Sequence, residues 1–173
     1  MANVSDVTLK TYFNTGDIPT EAQFIDLIDS KANLTGIATL THKTIDASSN
    51  TLQNLPAELI VALSDETTDL TTGLAQATFR MPYAMTLTDL RINVATAPVG
   101  SLIYVNASTT GLAILSTSAT IDASEKTSVT AATPPVISTS LLQDDDEITF
   151  DLTGVGSSTA GAGLKACLIG TRA

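Results

Sequence analysis

At 173 residues the chain has room for one ordinary domain and a smaller appendage, which is enough length to bury a core. A formal charge of -10 opposes binding to a phosphate backbone, and the single cysteine, Cys167, excludes an internal disulfide and a cysteine-rich metal site. Hydrophobic residues reach 43% but aromatics only 4%, with no tryptophan, so the core must come from Ala, Val, Leu and Ile; the many Thr and Ser residues beside only 15% charged ones favour strands over a helical bundle.

The first ten residues hold no basic region ahead of an apolar run, so no secretory leader is expected. Nowhere does the chain approach the ~20 consecutive apolar residues of a membrane span, so no membrane insertion is expected either. Two short helices come first. Thr8 is expected to cap a turn that sets Leu9, Tyr12 and Phe13 on one face, ended by Asn14, Thr15, Gly16 and Asp17. Thr20 and Gln23 have capping-box spacing, and Glu21 suits the positive end of the dipole. Phe24, Leu27 and Ile28 form the apolar stripe of this second helix before Asn33 and Gly36 close it. Helices this short are marginal alone and need packing against something: the chain's own β domain, another subunit or a particle surface.

Over residues 35–55 the apolar side chains, among them Leu40, Ile45 and Leu52, stand singly among polar ones. They are too sparse to close a core within one chain, but intertwined chains could share them, which points to a homotrimer. Pro56 then predicts the first turn of a short helix with Leu59, Ile60 and Leu63 as its stripe. From residue 67 the pattern alternates. Ala77, Phe79 and Met81 oppose Thr78 and Arg80, and Leu90, Ile92 and Val94 oppose Arg91 and Asn93. Further strand candidates are 102–105, 112–115, 129–131, 136–138, 148–152 and 164–168. About eight strands between Pro, Gly, Asn or Asp turns predict a mainly β fold, an antiparallel β-sandwich or jelly roll without helices. The expected organisation is a helical attachment segment (1–34), a shaft-like linker with a short helix (35–66) and a β-sandwich domain (67–173).

No constellation for catalysis stands out. His42, the single histidine, lies between Thr41 and Lys43, neither an evident nucleophile nor an orienting group, and reads as a solvent-facing residue. Gly154, Gly156, Gly161 and Gly163 lack the lysine of a phosphate loop and read as a flexible turn. The run Asp144, Asp145, Asp146 and Glu147 offers oxygen ligands for calcium, but adjacent acids cannot all converge on one ion, and a charged turn guarding a strand is the simpler reading. Asp65, Glu66, Asp122 and Asp151 show no spacing that selects a glycosidase pair. Asp46, Asp122 and Glu125 read as solvated turn residues. The aromatic residues are Tyr12, Phe13, Phe24, Phe79, Tyr83, Tyr104 and Phe150, and packing claims some of them, so a sugar site is not indicated. Cys167 reads as a small hydrophobe in a strand. No enzyme activity, metal or cofactor is expected.

The stretch from Thr8, Leu9, Lys10, Thr11, Tyr12 and Phe13 through Asp17, Ile18, Pro19 and Thr20 to Phe24, Leu27 and Ile28 resembles the N-terminal segment of phage fibre and virion proteins. Lys43-Thr44-Ile45-Asp46 with Asn50-Thr51-Leu52 is similar to the shaft repeat of phage tail fibres. Phe79-Arg80-Met81-Pro82-Tyr83-Ala84-Met85-Thr86-Leu87, Ile121-Asp122-Ala123-Ser124-Glu125-Lys126 and Leu168-Ile169-Gly170-Thr171-Arg172 resemble a domain at the ends of phage structural proteins. The resemblance implies a virion structural protein, a short homotrimeric fibre or spike with a β domain projecting towards a host surface. Leu9, Tyr12, Phe13, Phe24, Leu27, Ile28, Leu40, Ile45 and Leu52 would form its attachment and oligomer interfaces. Expected partners are further copies of itself, other phage capsid or tail proteins and a host cell-surface glycan or protein, with no nucleic acid. A capsid decoration protein and a lectin-like module are the alternatives.

Overall fold

The structure, a computed structural model, describes residues 6–14, 16, 18–31, 44, 46, 48–49 and 53–173. It divides into two units, Met1–Asn50 and Thr51–Ala173. The shaft-like residues Leu40, Ile45 and Leu52, together with His42, Asn33 and Gly36, lie outside the described residues, as do the side chains of Leu9 and Ile28.

In the first unit, α1 spans Asp6–Thr11 and α2 spans Glu21–Lys31. The capping box forms as expected: the Thr20 backbone N–H donates to Gln23 Oε1 (2.8 Å), and the Gln23 N–H donates to Thr20 Oγ1 (3.4 Å). α1 starts three residues before the Leu9 start that a Thr8 cap requires, so Thr8 lies inside the helix and Tyr12 and Phe13 lie in the turn after it. The Thr8 carbonyl accepts from the Thr11 hydroxyl (2.6 Å), and the Asn14 amide donates to the Thr11 carbonyl (3.1 Å) to close the end.

The second unit is mainly β and antiparallel throughout. Its strands are β1 Pro56–Ala62, β2 Gly73–Arg80, β3 Met85–Asn93, β4 Ile103–Thr109, β5 Leu112–Ala113, β6 Leu115–Thr117, β7 Ala119–Ile121, β8 Val136–Ile137, β9 Leu141–Leu142, β10 Glu147–Gly154 and β11 Lys165–Arg172. One sheet has the order β1-β11-β3-β9. Another has the order β2-β10-β4-β5, with β7 also on β4, and β6 pairs with β8. The expected alternation holds in the long strands: Ile103, Val105 and Ala107 of β4 and Ile148, Phe150 and Leu152 of β10 are buried. These residues join Met85, Leu87, Leu90 and Ile92 of β3 and Ala166 and Leu168 of β11 in a single hydrophobic cluster.

Two expectations need correction. Pro56 does not open a helix; it is the first residue of β1, where the missing N–H is tolerated at the edge of a sheet. Leu59 lies opposite Leu168 of β11, Ala57 is buried, and Ile60, which a helix would have turned inward, is 69% exposed. Pairing with the far end of the chain decides this segment, which carries both β-branched residues and a helix-like spacing. Residues 129–131 are likewise not a strand, because Ser128–Thr130 is a 3-10 turn capped by the Thr127 hydroxyl, which accepts from the Val129 N–H (3.2 Å). The buried Ser128 hydroxyl accepts from the Ile92 N–H (2.9 Å) and ties this turn to β3.

Backbone hydrogen bonds gather the loops after β1, β3 and β10 at one end of the unit. Leu70 donates to Gly161 O (2.9 Å), Gly163 to Asp65 O (3.0 Å), and Ala95 to Ala162 O (2.9 Å). Gly163, at φ +72°, adopts a left-handed backbone, and a Cβ there would lie 2.6 Å from that of Ala95. The glycine run read as a flexible turn is therefore held by its neighbours. At the opposite end the turns after β2, β4 and β9 meet, with Asp145 donating to Met81 O (2.9 Å) and Thr110 to Glu147 O (2.9 Å).

Candidate functional site

Of the residues assigned to attachment, the structure brings together those around the two helices. Phe13 and Phe24 meet edge to face with ring centroids 5.8 Å apart and planes at 77°, and the Tyr12 hydroxyl donates to Asp26 Oδ2 (3.4 Å). Leu27 is half-buried in α2. This pairing covers little: Phe13 remains 42% exposed, Phe24 48%, Ile25 49% and Ile18 93%. Among the described residues no helix is long and apolar enough to cross a membrane.

The acidic run is a turn whose parts have separate duties. Asp146 Oδ2 accepts from the Gln143 N–H (2.7 Å) and from the Thr109 hydroxyl (3.2 Å). Asp145, in a left-handed conformation at φ 64°, and Glu147 both pair with Arg80, at 3.6 and 3.4 Å. Asp65 Oδ1 accepts from the Thr68 N–H (2.7 Å) and the Thr67 N–H (2.8 Å), and these donors hold its carboxyl down to about 2. Glu66 pairs with Lys165. Asp122 Oδ2 accepts from the Ala132 N–H (2.9 Å), while its buried Oδ1 has no partner among the described residues. Asp46, as a turn residue, accepts from the Ser48 hydroxyl (2.7 Å) and N–H (2.9 Å), which lowers its pKa. Cys167 is half-buried on β11, where burial pushes its thiol up and the nearby Glu58 carboxylate adds to the effect.

Asp65 carries a pH prediction. Because its folded pKa lies below the usual carboxylate value of about 3.9, the stability it contributes is fully present above that value and is lost as pH falls towards 2. Melting temperature is therefore expected to fall from pH 4 to pH 2, and less so in Asp65→Asn, where no charge is titrated. Identical acid profiles for the two proteins would refute the assignment.

One surface was missed at the level of sequence: the outer face of the sheet β2-β10-β4. Tyr104 projects there, 40% exposed, although β4 has β10 on one side and β7 on the other. Directly opposite stands Gly154, where a Cβ would lie 2.7 Å from Tyr104 Cδ2, so the ring leans across space that any other residue would fill. Beyond the inward pair Leu152–Val105, Asp151 and Asn106 form the next cross-strand pair on this outer face. Asp151 Oδ1 accepts from the Ala75 N–H (2.8 Å), and Asn106 Oδ1 accepts from the Ser118 hydroxyl. Thr78 and Thr149 meet through their hydroxyls (3.4 Å) further along the same face. The remaining aromatics of this unit are occupied: Phe150 is fully buried against Phe79, and Tyr83 lies under the Arg172 guanidinium, 4.0 Å from the ring centroid. The signal was available, since burial of Ile103, Val105 and Ala107 in an alternating strand turns Tyr104 outward.

Comparisons of this chain with protein-family models, with curated proteins and with solved structures find no match.

Proposed function

We propose that this chain is a structural subunit of a bacteriophage particle: a short homotrimeric fibre or spike, attached through its N-terminal region, whose β unit projects towards a host surface. The observation that carries the reading is the helical pair, two helices too short to be stable alone, which leaves Phe24 and Ile25 exposed on α2 and Phe13 and Ile18 exposed in the segment that joins the helices. A surface of that kind gains most by docking. The sequence resemblances of this region and of the β unit to phage structural proteins point the same way.

Strand order adds fold-level support. Strands β1, β2, β3 and β4 alternate between the two sheets, and the short β9 with β10 and β11 does so again, an order that supports reading the unit as a jelly roll, an antiparallel architecture used in viral capsid and lectin domains. Fold alone does not select among those uses. The subunit is assigned no reaction and no cofactor.

Mass spectrometry of purified virions is expected to find the chain as a stoichiometric component, and light scattering of the full chain a mass near three times 17.9 kDa. Absence from virions would overturn the virion role. A stable monomer would overturn the trimer alone. Electron microscopy of the particle distinguishes a tail fibre from a head-mounted spike or decoration protein by where the density lies.

A further inference from the structure

We propose that the outer face of the sheet β2-β10-β4 is a binding site for a neutral oligosaccharide, with Tyr104 as the stacking platform and Asp151 and Asn106 as the groups that read sugar hydroxyls. A pyranose presents an apolar C–H face and a rim of hydroxyls, so it is held by a flat aromatic ring beside a few fixed polar groups. Tyr104 supplies the ring in mid-sheet, and Gly154 makes room for it to lie across the neighbouring strand.

The polar groups are oriented before any ligand arrives. Ala75 holds one oxygen of Asp151, and Ser118 holds the carbonyl oxygen of Asn106. The second Asp151 oxygen and the Asn106 amide N–H groups have no partner among the described residues and lie on the same face as Tyr104. One acceptor with charge and one two-hydrogen donor, side by side, match a pair of adjacent hydroxyls, one donating and one accepting. Fixing both side chains in advance reduces the ordering cost of binding.

Charge selects the ligand class. Around the platform the face is hydroxyl-rich, with Thr78, Thr149, Ser108, Ser118 and Thr153, and its central charge is the Asp151 carboxylate on a chain of net charge -10. Nucleic acid, whose bases also stack on tyrosine, would meet that charge and, among the described residues of this face, a single cation, Arg80, which Asp145 and Glu147 already pair. A neutral saccharide meets no such opposition. The site belongs to the β unit itself and does not depend on where the subunit is mounted, so it can fail while the virion role stands, and the reverse.

The test is a printed array of neutral hexose and N-acetylhexosamine oligosaccharides probed with the full chain, followed by titration of any retained oligosaccharide. Wild type is expected to bind, Tyr104→Ala to weaken binding by about tenfold or more, and Tyr104→Phe to stay within about threefold. Asp151→Asn is expected to weaken binding with the fold intact by circular dichroism. Should the alanine variant misfold, amide chemical shifts of the wild-type protein decide: changes centred on residues 104–108 and 149–154 support the site. Shifts confined elsewhere, unchanged binding by a folded Tyr104→Ala variant, or no retained saccharide would overturn it.

Discussion

Replacing Phe150, the bulkiest fully buried side chain among the described residues, with alanine is expected to lower the unfolding free energy of the β unit by about 3–5 kcal/mol. Phe150 is fully buried on β10, between β2 and β4, and the residues opposite it on those strands are both alanines, Ala77 and Ala107. Its ring therefore fills space that neither cross-strand neighbour can reclaim. It also lies nearly parallel to Phe79, with centroids 6.5 Å apart and planes at 12°. The fully buried residues around it are Leu, Ile, Val, Ala and Met, and Phe79 is held on β2 by its own packing, so the space left by the ring is reclaimed only in part. Domains of this kind are stable by about 5–15 kcal/mol, so the variant would retain a fraction of its margin. Urea unfolding should show a lower midpoint at an unchanged slope, and Phe150→Leu should recover most of the loss. A midpoint unchanged in Phe150→Ala would mean that the inner faces of the sheets do not close on this residue.

The same residues show what can be read from a sequence and what cannot. Ile148, Phe150 and Leu152, and likewise Leu90, Ile92 and Val94, were recognisable as strand because burial of one face imposes a period of two within a few residues. The Thr20–Gln23 capping box was recognisable for a similar reason, since both partners lie within one turn. Pro56–Ala62 was misread because a proline, Leu59, Ile60 and Leu63 suit a helix start as well as a strand, and what decides is β11, which arrives at the other end of the chain. The 3-10 turn at Ser128–Thr130 depends on a hydroxyl contact with Ile92, also distant in sequence. β7 and β9 are three and two residues long, too short to show any period. For the outer face, the outward phase of Tyr104 is a local fact of β4, but its pairing with Gly154 and that of Asp151 with Asn106 are facts of register, which no local pattern reveals.

Register also underlies the second large effect. Gly170→Val is expected to destabilise the β unit by about 3 kcal/mol, at the upper end of what overpacking costs, with Gly170→Ala between that and about 1 kcal/mol. β11 is flanked by β1 and β3, and its register with β3 slips by one residue between the pairs Ile169–Asp89 and Gly170–Leu87. Thr88 is thus the extra residue of a bulge, and its hydroxyl donates to the Ile169 carbonyl (3.1 Å). The bulge moves the buried phase of β3 from Met85 and Leu87 to Leu90 and Ile92, which lets one strand line the core along its whole length. Its price is close approach: a Cβ at position 170 would lie 2.1 Å from the Thr86 carbonyl oxygen and 3.0 Å from Leu87 Cα. These are backbone atoms, so relief requires opening the β3–β11 pairing rather than turning a side chain. Hydrogen exchange should accordingly show protection lost first at residues 85–88 in the variants, while Thr171→Ala, on the other face of β11, stays within about 0.5 kcal/mol of wild type. Equal protection at 85–88 in Gly170→Val and wild type would show that the strands part without cost there. The motif Leu168-Ile169-Gly170-Thr171-Arg172, one carrier of the resemblance to phage structural proteins, thereby has a local physical reason for its glycine. That part of the motif speaks to how the sheet is built, and evidence for a role on a particle has to come from the exposed helices.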